Sequence, residues 1–157
     1  RRELIDEMEP SFIGWFSQKN PFGFGPEKLD FTESADRFQS GTWAVPSIYA
    51  GITGMKTILS IGIDTIRSRV EKLTERAIET GGEYGLETIT PIEKKERGAI
   101  VSFIVPHAHE LEGKLRSSKI FTSSRDVGLR LAPHFYNTAD EIDSAIESIS
   151  SYSRKMP

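Results

Sequence analysis

Two short runs hold residues whose types and spacing suit chemistry. In Arg37-Phe38-Gln39-Ser40-Gly41-Thr42, a Gly-Thr pair stands just ahead of a predicted helix. Unpaired backbone N–H groups and a hydroxyl at that place suit a phosphate or another anion. On spacing alone the run reads first as an ordinary helix-entry turn capped by Ser40 or Thr42. In Val127-Gly128-Leu129-Arg130-Leu131-Ala132-Pro133-His134, strand alternation points Leu129 and Leu131 one way and Arg130 the other. Arg130 is then either a solvent-facing cation or a planar fork presented to a carboxylate. Arg125, just ahead of this run, either shares that task or closes a turn with Asp126.

Other chemistries are excluded or unsupported. The 157 residues contain no Cys, which removes thiolate zinc sites, disulfide frameworks and cysteine nucleophiles from them. His107 and His109 flank the end of a predicted strand beside Glu110, and an i, i+2 pair at such a junction converges poorly on one ion. No metal site is expected. Neither a Ser-His-Asp arrangement nor a Walker-type phosphate loop occurs. With 20 Lys+Arg against 23 Asp+Glu, the net charge of -3 gives no reason to expect nucleic acid. No apolar run approaches the roughly 18 residues a membrane helix requires, so no membrane partner is expected.

These residues need elements to position them. Residues 1–8 read as a short helix already under way. Residues 9–43 hold 8 of the 15 aromatic residues but are broken by Pro21, Gly23, Gly25 and Pro26, so they read as irregular. So much apolar area requires cover, from the domain's own body or from a subunit or domain interface. Residues 46–61 read as a helix with Pro46 in its first turn and Gly62 after it. A second helix is predicted with Asp64 as its N-cap and Gly81-Gly82 as its stop. Its stripe is Ile63, Ile66, Val70, Leu73 and Ala77, and Arg67, Arg69, Glu71, Lys72, Glu75 and Arg76 form a solvated outer face.

Beyond it, strands are expected at 87–90, 99–105, 119–123 and 127–131. The second is the strongest, apolar on both faces except at Ser102. Residues 93–98 read as a charged turn and residues 107–115 as a short helix. Thr138 and Glu141 form a capping box for a last helix whose apolar face is Ile142, Ala145, Ile146 and Ile149. The final residues read as frayed. The pattern implies an α/β (α+β) layer, with a short, mostly antiparallel sheet and helices on one face. The division expected is residues 1–62 as one part and residues 63–157 as a small α+β domain.

Three segments taken together resemble one family. They are Ala35-Asp36-Arg37-Phe38-Gln39-Ser40-Gly41-Thr42, Gly98-Ala99-Ile100-Val101-Ser102-Phe103, and the run from Gly128 through His134-Phe135-Tyr136-Asn137-Thr138 to Asp143. In order and separation they resemble the C-terminal part of class V aminotransferase-type enzymes. This is the fold-type I pyridoxal-phosphate (PLP) group, which holds cysteine desulfurases, selenocysteine lyases, kynureninases and isopenicillin N epimerase-like proteins. The last segment is the most specific.

The resemblance implies that residues 1–62 are a remnant of a large PLP-binding domain and residues 63–157 the C-terminal small domain. It implies a homodimer with the active site at the subunit boundary, acting on a small amino-acid substrate, in the cytoplasm. Gly41 and Thr42 would bind the cofactor phosphate of the partner subunit. Arg130 would hold the substrate α-carboxylate, with Arg125 as a further substrate-side candidate. None of Lys19, Lys28 or Lys56 stands in the context of the Schiff-base lysine. That lysine is expected upstream of residue 1, so the chain by itself would be inactive. Trp43 and Gln39 depart from the common pattern. Desulfurases carry a nucleophilic Cys on a loop ahead of the arginine strand, whereas Lys119 to Asp126 is short and has none. The short loop looks closer to the isopenicillin N epimerase-like or aminotransferase-like branch, with transamination, epimerisation or elimination as the reaction. The alternative is a non-catalytic α+β interaction or dimerisation module.

Overall fold

The computed structural model describes residues 2–25, 27–126 and 128–154. Arg1, Pro26, Val127 and the expected frayed end at 155–157 lie outside the described residues. The chain divides into two compact units, Arg1–Met55 and Lys56–Pro157. The division falls inside a helix.

The first unit has little regular structure, as the interrupted aromatic sequence implies. It holds α1 (Glu3–Glu7), two 3-10 turns at Trp15–Ser17 and Ala35–Phe38, and an isolated bridge between Gln18 and Phe31. Its one fully buried hub is Ser17. The Ser17 hydroxyl accepts from the Gly14 N–H at 3.0 Å and donates to the Gln39 carbonyl at 3.1 Å. Gly14 is required there, since a Cβ would overlap the backbone of Gln39 and Ser40. The Arg37 guanidinium lies 5.6 Å from the Phe31 ring centroid and donates to the Ile5 carbonyl. Trp15 gathers Phe16, Phe22 and Phe24 within 6.2 Å or less, ring centre to ring centre, and its indole N–H donates to Pro21 O at 2.7 Å. Even so, Phe12, Phe22, Phe24 and Trp43 remain exposed.

Helix α2 spans Val45–Ile61 and has no buried residue. Its apolar residues Ile48, Ile52, Met55, Ile58 and Leu59 are all exposed. Gly62, at φ 92, separates it from α3 (Ile63–Glu83) and occupies the N-cap position. The expected cap, Asp64, instead sits in the first turn, where its charge still suits the helix dipole.

The second unit is a single layer of sheet under helices. Its strands are β1 (Glu87–Thr88), β2 (Val101–Ile104), β3 (Ser123–Arg125) and β4 (Gly128–Leu131), in the order β1-β2-β4-β3, every pair antiparallel. Helices α3, α4 (Ala108–Ser117) and α5 (Ala139–Ser153) cover one face. The core joins Leu73 and Ala77 of α3, Leu111 and Leu115 of α4, Ile142, Ile146 and Ile149 of α5, and Val101, Phe103, Leu129 and Leu131 of the sheet. Every apolar position expected on α5 is buried.

Several sequence expectations change. Gly81 and Gly82 do not stop α3. Gly81 is a buried helical residue against which the Phe103 ring rests, and a Cβ there would run into that ring. The helix ends two residues later in a Schellman motif: Leu86 N donates to Gly81 O, Gly85 N to Gly82 O, and Gly85 takes φ 75. Strand β2, apolar on both faces except at Ser102, is buried on one only: Val101 and Phe103 are buried while Ile104 is exposed, as a one-sided sheet allows. The expected strand at 119–123 begins only at Ser123, because Lys119, at φ 63, turns the chain after α4. The charged turn hides a residue: Arg97 is 7% exposed and donates to the Ile92 carbonyl. The outer face of α3 is only partly solvated. Arg76 forms a two-point pair with Asp143 of α5, 2.8 Å on each arm, and Arg69 donates to Asn137 O at 2.7 Å. Among the described residues, no helix is long and apolar enough to cross a membrane.

Candidate functional site

The sheet face away from the helices is where the chain gathers unpaired cations. Antiparallel register fixes its membership, because directly opposed residues share a face. Arg130 stands opposite Ser102 of β2 on one side and Ser123 of β3 on the other. Gly128, two residues before it, stands opposite Ile104 and Arg125. The outer face therefore carries the row Ser102–Arg130–Ser123 and, beside it, the row Ile104–Gly128–Arg125. Ser124 provides an independent check. It opposes the buried Leu129, and its side chain reaches α4 on the covered face.

Arg130 is exposed between two buried leucines. Among the described residues its guanidinium has no hydrogen bond or ion pair, and neither the Ser102 nor the Ser123 hydroxyl is engaged. Arg125 folds one Nη back onto the Ser124 carbonyl at 2.7 Å, which leaves its other donors free, and it has no acidic partner. Its tip position follows from the turn of the chain at Asp126, φ 51.

The backbone beneath Arg130 is fixed by threonines. Thr88 Oγ1 donates to Ser102 O at 3.1 Å, and the Ser102 N–H donates to Thr90 Oγ1 at 2.8 Å. Gly128 lets Ser102 and Ile89 close over the strand, since a Cβ there would stand 2.8 Å from Ser102 Oγ and 3.2 Å from Ile89 Cδ1. Ser102, Ser123 and Gly128 went unnoticed as site neighbours in the sequence, although strand alternation about Arg130 would have flagged them once pairing was known.

The segment after Arg130 is a polar strap. Its His134 N–H donates to Asn137 Oδ1 at 2.8 Å, and Asn137 Nδ2 donates to Glu141 Oε2 at 3.1 Å. The capping box closes it: Glu141 N donates to Thr138 Oγ1 at 3.2 Å, and Thr138 N donates to Glu141 Oε2 at 2.9 Å. The Thr138 N–H, then Asn137, holds the Glu141 carboxyl below its ordinary range. The His134 ring lies 4.4 Å from Phe135 and 4.3 Å from Tyr136. His109 Nδ1 lies 3.4 Å from Ser124 Oγ, and among the described residues no group of three or more His, Asp or Glu is placed to hold a metal ion.

Gly41 and Thr42 belong to the first unit, in a bend ahead of α2. Among the described residues, their backbone N–H groups and the Thr42 hydroxyl are unengaged. The proposed capping role does not apply, because neither Ser40 nor Thr42 caps the helix, and Ile48 N donates to Ala44 O instead. A Cβ at Gly41 would meet nothing within 4 Å, so the backbone is open to approach. This donor set fits the phosphate of PLP. Lys19 does not fit the part of the cofactor lysine. Its ammonium is paired with Glu33 at 3.1 Å and Asp30 at 3.4 Å, which push its pKa up, whereas Schiff-base chemistry calls for a lowered one.

Residues 66–149 match the family model of the kynureninase C-terminal domain. An uncharacterized aminotransferase of Bacillus subtilis, YcbU, is 32% identical over 150 residues, covering 96% of this chain and 39% of the relative. Among solved structures, the apo cysteine desulfurase of Thermococcus onnurineus NA1 superposes with a TM-score of 0.86 at 24% identity, over 99% of this chain and 42% of that one. A variant of C-DES with glycine covalently linked to its PLP cofactor gives 0.80 at 18% identity, over 94% of this chain and 39% of that one. The two structural likenesses establish the fold, and the chain spans about two fifths of the length of the proteins it matches. The chain belongs to the kynureninase C-terminal domain family and forms the C-terminal part of a class V aminotransferase-type fold.

Proposed function

We propose that the whole protein is a PLP-dependent enzyme acting on a small amino acid, and that this chain supplies its carboxylate-binding side. The observation that carries the reading is Arg130. A long cation without a partner is held on a strand by buried neighbours at 129 and 131, with two small hydroxyl residues beside it. Such a guanidinium is set to take the α-carboxylate through two parallel N–H bonds. Ser102 and Ser123 are neutral, so they do not compete for it. Arg125 contributes positive charge from the adjacent row. The cofactor, when bound, supplies the electron sink for carbanion chemistry.

Gly41 and Thr42 grip the cofactor phosphate of the partner subunit in this reading, which makes the enzyme a homodimer. The exposed aromatics of residues 12–43 and the uncovered face of α2 then lie at subunit and domain boundaries. They are too extensive to suit open solvent. The Schiff-base lysine comes from outside these residues, and the 157-residue chain alone is inactive. Transamination, epimerisation and elimination all suit the site. Persulfide transfer is disfavoured, because the chain offers no cysteine. A cytoplasmic setting, without membrane or nucleic-acid partners, completes the reading. A non-catalytic interaction module would explain the exposed aromatics but would leave the unpaired Arg130 without a role.

The test is an absorption spectrum of the full reading frame before and after borohydride. The expected result is a visible aldimine band that borohydride removes. Absence of that band with PLP supplied overturns the enzyme reading.

A further inference from the structure

We propose that Arg125 and Arg130 act as a two-point anion clamp, so that the substrate is an amino acid bearing a second acidic group at its far end. This rests on the reading of Arg130 as the α-carboxylate anchor. Four residues at the turn end of the β3–β4 hairpin set the geometry. Arg130 opposes Ser123 and Gly128 opposes Arg125, all on the uncovered face. The two arginines thus occupy opposite corners of a square whose other corners are a serine and a glycine. Diagonal positions of this kind lie about 7–8 Å apart at the backbone. Long side chains stand at two of the corners and small ones at the other two.

The surface between the two arginines suits a short carbon chain because it is partly apolar. Gly128 is buried, and the exposed Ile89 side chain lies with the Ser102 hydroxyl over the place its Cβ would take. Among the described residues no carboxylate pairs with either cation. Asp126 is adjacent in the turn, and Glu87 lies on the same face opposite Ile104, yet neither forms an ion pair with Arg125 or Arg130 among the described residues. Arg125 holds itself by one Nη to Ser124 O, so its fork is partly fixed before a ligand arrives. A dianion can pair with both cations, whereas a monoanion leaves one of them unpaired.

The test uses the full-length protein with PLP and two unreactive probes, glutarate and butyrate, titrated at equilibrium at fixed ionic strength. Glutarate is expected to bind at least ten-fold more tightly than butyrate. R125Q is expected to narrow that ratio to within about two-fold, and R125K to restore part of it. R130Q is expected to weaken both probes. Equal affinity of the wild type for the two probes, or an R125Q ratio as large as wild type, overturns the clamp while leaving Arg130 as an anchor. If R130Q weakens neither probe, the anchor reading fails, and the clamp fails with it.

Discussion

The carboxylate of Glu112 faces the outer edge of β3 from α4. It accepts from the Ser124 hydroxyl at 2.6 Å, from the Ser124 N–H at 2.9 Å and from Arg116 at 3.1 Å. Those donors, the hydroxyl first, bring its pKa down to about 2. The contact does two things. It satisfies a backbone N–H that an edge strand would otherwise leave open to another chain, and it ties the strand carrying Arg125 to a helix. A depressed carboxyl stabilises the fold above its unfolded value, near 4.3, and that contribution is lost as pH falls toward 2. E112Q should therefore lower stability near neutral pH and flatten its dependence between about pH 4.3 and 2. Urea midpoints across that range check it; a parallel pH slope in variant and wild type would remove Glu112 from this role. Asp143 is lowered in the same direction, by Arg76 first and then by Thr80, so some acid sensitivity remains in E112Q.

The elements owe their ends to a few side chains. The Thr138–Glu141 box both starts α5 and finishes the strap from Arg130, through Asn137 and the His134 N–H. Loss of a cap of this kind costs about 0.5–2 kcal/mol. T138A should fall in that range by chemical denaturation, and T138S should recover most of the loss. Equal effects of the two would mean that the methyl group, not the hydroxyl, matters. Helix α3 gives the contrasting case. Its C-terminus was legible as a glycine signal, but the signal was assigned to the wrong glycines. Gly81 serves contact with Phe103, and Gly85 provides the left-handed turn. Both demands select the same residue type, so sequence alone does not separate them. Asp64 illustrates the same limit, since a good N-cap residue also suits the first turn.

For the molecule as a whole, the two units differ in how far they account for themselves. The second has a closed core of leucine, isoleucine, valine and phenylalanine under three helices. The first buries a serine hub and leaves Phe12, at 85% exposed, and several other aromatics outside. Under the proposed function, its Gly41-Thr42 bend acts on the cofactor of another subunit. T42V in the full-length protein removes one hydrogen bond to a charged group, worth about 1.5–3 kcal/mol. PLP should then dissociate about ten- to hundred-fold more readily. Equilibrium dialysis measures this, and unchanged cofactor affinity would take Thr42 out of the phosphate site.

The sequence by itself determined the class of fold, the family, the apolar face of α5, that of α3 from Val70 to Ala77 though not at Ile63, which is exposed, and the opposed directions of Arg130 and its leucine neighbours. All of these depend on local periodicity or on an uninterrupted motif. Tertiary structure decided what periodicity does not encode. It set the strand order β1-β2-β4-β3, the one-sided burial of β2, and the removal of Arg97 from solvent inside a run that reads as fully charged. It also placed Arg125 diagonally to Arg130 across a glycine and a serine, because strand register is a property of paired backbones and not of either strand alone.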